Sequence, residues 1–152
     1  MRAALAWMAV VGLAACQTGV TASDTVAVET RATVPVSATA GPGARIVTPA
    51  FASEVIRTAC VATRPDFRGT ERALAQMGGF VQNARTGTYF SQTHNLSVKL
   101  IENRCSVVMG GRFNGPDIPK IVNGTGAPQV VRAGLPRAVN GKVYLSFSVA
   151  KG

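Results

Sequence analysis

The sequence predicts an α+β domain, two helices leading into a mainly antiparallel sheet, on two observations. Apolar residues recur at helical spacing between residues 51 and 77, and from Phe80 onward they recur at every second position. Helices followed by a run of strands, rather than a strict alternation of the two, point to helices that cover one side of a sheet.

The first helix is predicted over residues 52–63, because Phe51, Val55, Ile56, Ala59 and Cys60 fall on one helical stripe, with Ser53 placed to cap its start. Pro65 disfavours helical geometry at Arg64 and so ends it. Asp66 is placed to cap a second helix in which Phe67, Thr70, Leu74 and Met77 share a side, and Gly78-Gly79 supplies its terminating turn.

Strands are predicted over residues 86–92, 96–101, 105–109 and 143–149, each rich in Val, Leu, Tyr or Phe. Leu96, Val98 and Leu100 share one face of the second, Cys105, Val107 and Met109 one face of the third, and the short Glu102-Asn103-Arg104 turn joins the two. Val143, Leu145, Phe147 and Val149 are the buried positions of the last. Between Gly110 and Lys142 the chain carries Gly and Pro throughout, with Asn-Gly pairs at Asn114, Asn123 and Asn140; the last is placed to close a hairpin. Ile121-Val122 and residues 129–132 are candidate short strands there.

Three segments follow from composition. Residues 46–152 form the domain; residues 17–45 contain no aromatic residue and no Leu, Ile or Met, can bury little, and are expected to be a tether with an average span of about 30 Å. Within it, residues 25–36 alternate Thr and Val often enough for an edge strand that Pro35 limits. Ahead of the tether, Met1 and Arg2 give a positive start, residues 3–13 an apolar stretch of 11 residues, and Ala14-Ala15 small residues before Cys16, the pattern of a secretory signal. The stretch falls short of the roughly 20 residues of a membrane-spanning helix. A retained membrane helix would have to recruit Thr18, Thr21 and Ser23.

Leu13-Ala14-Ala15-Cys16 resembles the lipobox of bacterial lipoproteins, and the resemblance covers residues 1–16 alone. It implies removal of residues 1–15, a diacylglycerol thioether on Cys16 and, as a rule in that class, a third acyl chain on its amine. Several chains anchor stably where a single chain is marginal. Gln17, where that class carries Asp for retention in the inner membrane, implies the outer membrane of a Gram-negative cell, in the leaflet facing the periplasm. An ordinary secreted protein with Cys16 uncleaved is the alternative.

Three cysteines are an odd number for an exported chain, and lipid on Cys16 leaves Cys60 and Cys105 as a pair. Export favours a disulfide. Closing a loop of about 46 residues would stabilise the fold by ~4 kcal/mol in the chain-entropy picture. Cys60 lies on the apolar helical stripe and Cys105 on the inward strand face, so a helix-to-strand bridge satisfies both patterns. Two free buried thiols are the alternative.

From Ile46 onward there are 13 Lys and Arg against five Asp and Glu, so a net charge of +8 belongs to the domain. Arg57 and Arg64, seven apart, and Arg68 and Arg72, four apart, are candidate lines of positive charge along the predicted helices. Such a surface attracts anionic envelope polymers; a solvated face that keeps the chain soluble is the plainer explanation. Residues 86–95 are the densest polar and aromatic segment and hold the single His94; Tyr89 and Phe90 point to opposite faces, so one packs and the other is available for contact.

Catalytic patterns are thin. Ser91 lies near His94 in sequence, but no glycine-flanked nucleophilic serine appears. One histidine, two cysteines expected to be bridged and five scattered acids do not make a zinc site or a selected carboxylate pair. Gly124-Thr125-Gly126 lacks the lysine of a phosphate-binding loop and reads as a turn. The expectation is a noncatalytic periplasmic lipoprotein on the outer membrane that needs no cofactor or metal. It binds an anionic envelope component or a partner protein through Arg57, Arg64, Arg68, Arg72, Tyr89 and His94, and no intracellular nucleic acid. An accessory or structural subunit of an envelope complex is the alternative, and a small hydrolase the remaining class.

Overall fold

The computed structural model describes residues 44–152. The lipobox, Cys16 and residues 17–43, with the candidate edge strand at 25–36, lie outside the described residues.

Helix α1 (Pro49–Val55) runs directly into a π-helical turn (Ile56–Val61) and is followed by α2 (Thr70–Met77), β1 (Phe80–Asn83), β2 (Thr88–Ser91), β3 (Leu96–Ile101) and β4 (Arg104–Gly111). Then come α3 (Asp117–Gly124), a short turn of 3-10 helix (Pro128–Val130), β5 (Val131–Ala133), β6 (Arg137–Val139) and β7 (Lys142–Ala150). The seven strands make one antiparallel sheet in the order β1-β2-β3-β4-β7-β5, with β6 on the same edge of β7 as β5. The predicted class is the observed one: helices on an antiparallel sheet, tied by a Cys60–Cys105 disulfide whose Cα atoms lie 5.5 Å apart. The core gathers Val55, Ile56 and Ala59 from the first helical segment, Leu74 from α2, Ile121 from α3 and the inward rows of the sheet.

The first helix starts earlier than the spacing suggested. Thr48 caps it, its Oγ1 accepting from the Phe51 N–H at 3.2 Å, and Pro49 takes the first position, where no N–H is needed. Ser53 is therefore not the cap; it is buried, with its hydroxyl 2.9 Å from both Pro49 O and Ile121 O, pinning α1 to α3. The approach is close enough that a Cβ on Gly124 would stand 2.5 Å from that hydroxyl. Asp66 likewise does not cap α2, whose N-cap is Gly69; its carboxylate accepts from the Arg68 N–H within the preceding turn.

Widening the helix to a π turn at residues 56–61 leaves Ala59 O to accept two threonine hydroxyls, Thr63 at 2.7 Å and the buried Thr70 at 2.8 Å, which bind the turn to α2. Ile121 and Val122 belong to α3 and not to a strand, because Ile121 faces the core one helical turn after Asp117 at the helix start. The Asn140-Gly141 hairpin is present between β6 and β7; both residues have positive φ, 49° and 73°, the combination a tight right-twisted turn needs.

Candidate functional site: the open face of the sheet

Strict pairing across the sheet divides its side chains into two sets. Tyr89, Val98, Val107, Phe147 and Ala133 stand in register on the side covered by the helices. The residues between them point to the other side, and among the described residues the core cluster takes none of them. Lys99, Arg104, Arg132, Arg137 and Lys142 are the cations of the strands, and the register puts all of them on this open side. Among the described residues no strand carries an acidic residue: Glu54, Glu71 and Asp117 lie in helices, Asp66 and Glu102 in turns.

The open face is ordered in rows across the strands. One row runs Lys99, Ser106, Ser148, Arg132 over β3, β4, β7 and β5. The next runs Phe90, Ser97, Val108, Ser146 over β2, β3, β4 and β7, and a third sets Gly110 beside Tyr144 and Arg137. Small side chains therefore floor the middle strands, and larger ones stand at the sides. Ser97, Ser106 and Val108 are only 8%, 7% and 7% exposed, whereas Arg104, Arg132, Arg137 and Lys142 are exposed and Phe90 and Tyr144 half-buried. Gly110 is required where it is, since a Cβ there would meet the Asn95 amide and, at 2.9 Å, the Tyr144 ring. The Arg132 guanidinium donates to Gln129 O at 3.1 Å, which holds it at the β5 end of its row. None of the four serine hydroxyls of these rows bonds another described residue, while Ser53 and Ser91 both do.

The arginines read from the sequence are placed differently. The helix ends at Val61 and the next begins at Thr70, so Arg64 and Arg68 stand in the connecting turn and neither predicted line of charge along a helix forms. Pro65 and the cap-forming turn break the helical spacing on which those lines depended. Arg57 is paired with Glu54 at 2.6 Å and Arg68 with Asp66 at 3.3 Å, leaving Arg72 exposed on α2. The Arg57 guanidinium also holds the Glu54 carboxyl below its usual range, chiefly through their hydrogen bond. Arg64 is half-buried against Gly152.

Tyr89 is the inward member of its pair, its hydroxyl accepting from Gln82 Nε2 at 3.0 Å and its ionisation pushed up by burial and then by Glu71; Phe90 is the outward member. His94 stacks on Phe51, ring centroids 4.1 Å apart, with Nδ1 3.0 Å from Thr93 Oγ1. Burial, and then the Arg45 charge, hold its pKa below the ordinary value. The Ser91 hydroxyl accepts from the backbone N–H of His94 at 3.1 Å and of Thr93 at 3.4 Å, so it supports a turn and does not meet the imidazole. Arg45, counted with the tether by composition, donates its N–H to Thr93 O at 2.7 Å and is held by the sheet.

Among the described residues no three His, Cys, Asp or Glu side chains gather as metal ligands, and no helix is long and apolar enough to cross a membrane. A shallow hollow lined by Pro49, Ser53, Glu54, Lys120 and Gly124 holds one acid and one amine and no further chemistry. Sequence reasoning passed over the strand cations and serines, although the alternation that picked out Leu145, Phe147 and Val149 also fixes Tyr144, Ser146 and Ser148 as their outward neighbours. Comparison of the chain with protein-family models, with curated proteins and with solved structures finds no match in any of the three.

Proposed function

We propose that this chain is a noncatalytic lipoprotein of the cell envelope, held in the outer membrane through lipid on Cys16, that captures an anionic envelope component on the open face of its sheet. The observation that carries the reading is the segregation of charge: five cations on one sheet face, with every acid of the described chain in a helix or a turn. Like charges gathered without counter-charges destabilise slightly and attract polyanions strongly. The tie between Ser91 and backbone, rather than between Ser91 and His94, supports binding over hydrolysis.

The test is crosslinking in cells, purification at low and high salt, and mass spectrometry of what remains attached. Wild type should retain anionic polymer at low salt and release it as salt rises. Changing Lys99, Arg104, Arg132, Arg137 and Lys142 together to Gln should abolish that retention while leaving the thermal midpoint nearly unchanged; the matching change at Arg57, Arg64, Arg68 and Arg72 should weaken it far less. Full retention by the five-residue variant would end the proposal.

An accessory subunit of an envelope complex is the second reading, favoured by one observation. The β5–β6 edge and the start of β7 beside it expose apolar side chains, Leu135 at 71%, Val139 at 38% and Val143 at 37%. A stoichiometric protein partner that survives high salt would favour it.

A further inference from the structure

Resting on the reading of the open face as an anion-binding surface, we propose that its ligand is an acidic glycan laid across β3, β4, β7 and β5. Lys99 and Arg132 take anionic groups of the chain at the two ends of the row. Ser106 and Ser148 between them bond sugar hydroxyls, and Tyr144 in a neighbouring row packs against a sugar ring.

Spacing argues for a polymer with separated charges. Neighbouring strands lie ~4.8 Å apart, so the Lys99 and Arg132 positions are roughly 14 Å from each other with two strands between. Arg132 is held at its own end by Gln129 O and does not lean inward to share a single anion with Lys99. What lies between the cations is neither a third cation nor an apolar strip, but two serines in direct register, Ser106 with Ser148. Hydroxyls donate and accept, and the hydroxyl-rich stretch between the acidic groups of a glycan uses both capacities, whereas a bare chain of phosphates can only accept from them.

Single-stranded nucleic acid shares the charge but not the spacing. Its bases stack on aromatic side chains in succession, and the two rings of this face, Phe90 on β2 and Tyr144 on β7, are separated by β3 and β4. Half-buried rings far apart on a small-residue floor fit the apolar faces of separate sugars instead.

The experiment measures binding of the full-length chain in detergent to two glycans, oligogalacturonate and a phosphorylated mannan, against polyphosphate and oligo-dT of matched charge. Wild type should bind one of the glycans more tightly than either control. Ser106→Val with Ser148→Val should lose about tenfold in glycan affinity, with a clearly smaller loss for polyphosphate, which uses the hydroxyls as donors alone. Val suits a strand, so this variant should keep its fold; Tyr144→Ala gives the same readout by a second route. Polyphosphate or oligo-dT binding as tightly as the glycans, or glycan binding untouched in both variants, would overturn the inference while leaving a general polyanion face. If Lys99→Gln, Arg104→Gln, Arg132→Gln, Arg137→Gln and Lys142→Gln together leave polyphosphate binding unchanged, the face itself fails, and the two failures are told apart.

Discussion

Alternate residues of the same strands build the two faces of this sheet, and the faces differ in every property that matters for binding. Under the helices, Leu96, Val98, Val107, Met109, Leu145 and Phe147 are at most 2% exposed and uncharged. One residue along in each strand stand serines, two aromatic rings and all the strand cations. Because the side-chain period of a strand is two, charge is placed on one face without any entering the core. If the open face binds as proposed, the covered face carries stability and the open face affinity, so each can be perturbed alone.

The largest loss of stability is expected on the covered side, from Cys60→Ala with Cys105→Ala. The bond closes a sequence separation of 45 residues, and its removal should cost ~4 kcal/mol, a large share of the 5–15 kcal/mol typical of a domain. Denaturant unfolding would measure it, and polyanion binding should persist wherever the variant remains folded. Affinity falling in proportion to stability would break the separation of faces.

Ser53→Ala tests the helix layer with a smaller effect. It removes the hydroxyl that lies between Pro49 O and Ile121 O, leaves a buried carbonyl of α3 without that partner, and should cost about 1–2 kcal/mol with affinity unchanged. A neutral result would mean that α1 and α3 are held by apolar contact alone.

Much of the covered side was legible in the sequence, because burial leaves a period. Leu96 to Ile101 was read to its ends, the last strand within a residue, and the bridge between Cys60 and Cys105, paired by cysteine count and export, agreed with two apolar stripes. Leu100 shows where the pattern thins: it shares the inward face yet is 38% exposed, at the end of its strand. Capping was less legible, since Thr48, Ser53 and Asp66 all have side chains able to cap and only tertiary contacts decide that Ser53 is buried against α3. The candidate site was the least legible. Lys99, Arg132 and Arg137 are far apart in sequence and share a surface only through the order β3-β4-β7-β5, with β6 on the same edge of β7, which no local signal states.

The smallest effect is a pH dependence confined to the covered side. His94 is half-buried, stacked on Phe51 with Arg45 nearby, and its partial burial, then that charge, favour its neutral form. In the unfolded chain a histidine takes its proton near pH 6.5, so as pH falls the unfolded state binds the proton first and the folded state loses stability. The loss begins as pH drops through about 6.5 and levels off below the folded pKa. His94→Phe keeps a ring over Phe51 and cannot be protonated. Its thermal midpoint, compared with wild type between about pH 7 and about pH 5, should gain on wild type toward the acid end, and Arg45→Gln should reduce the wild-type dependence. Among the described residues neither a histidine nor a carboxylate stands on the strands of the open face, so polyphosphate binding should be nearly flat across this range. A parallel fall in binding would mean that the His94 turn and the Lys99 row communicate through β3, and the two faces would no longer count as independent.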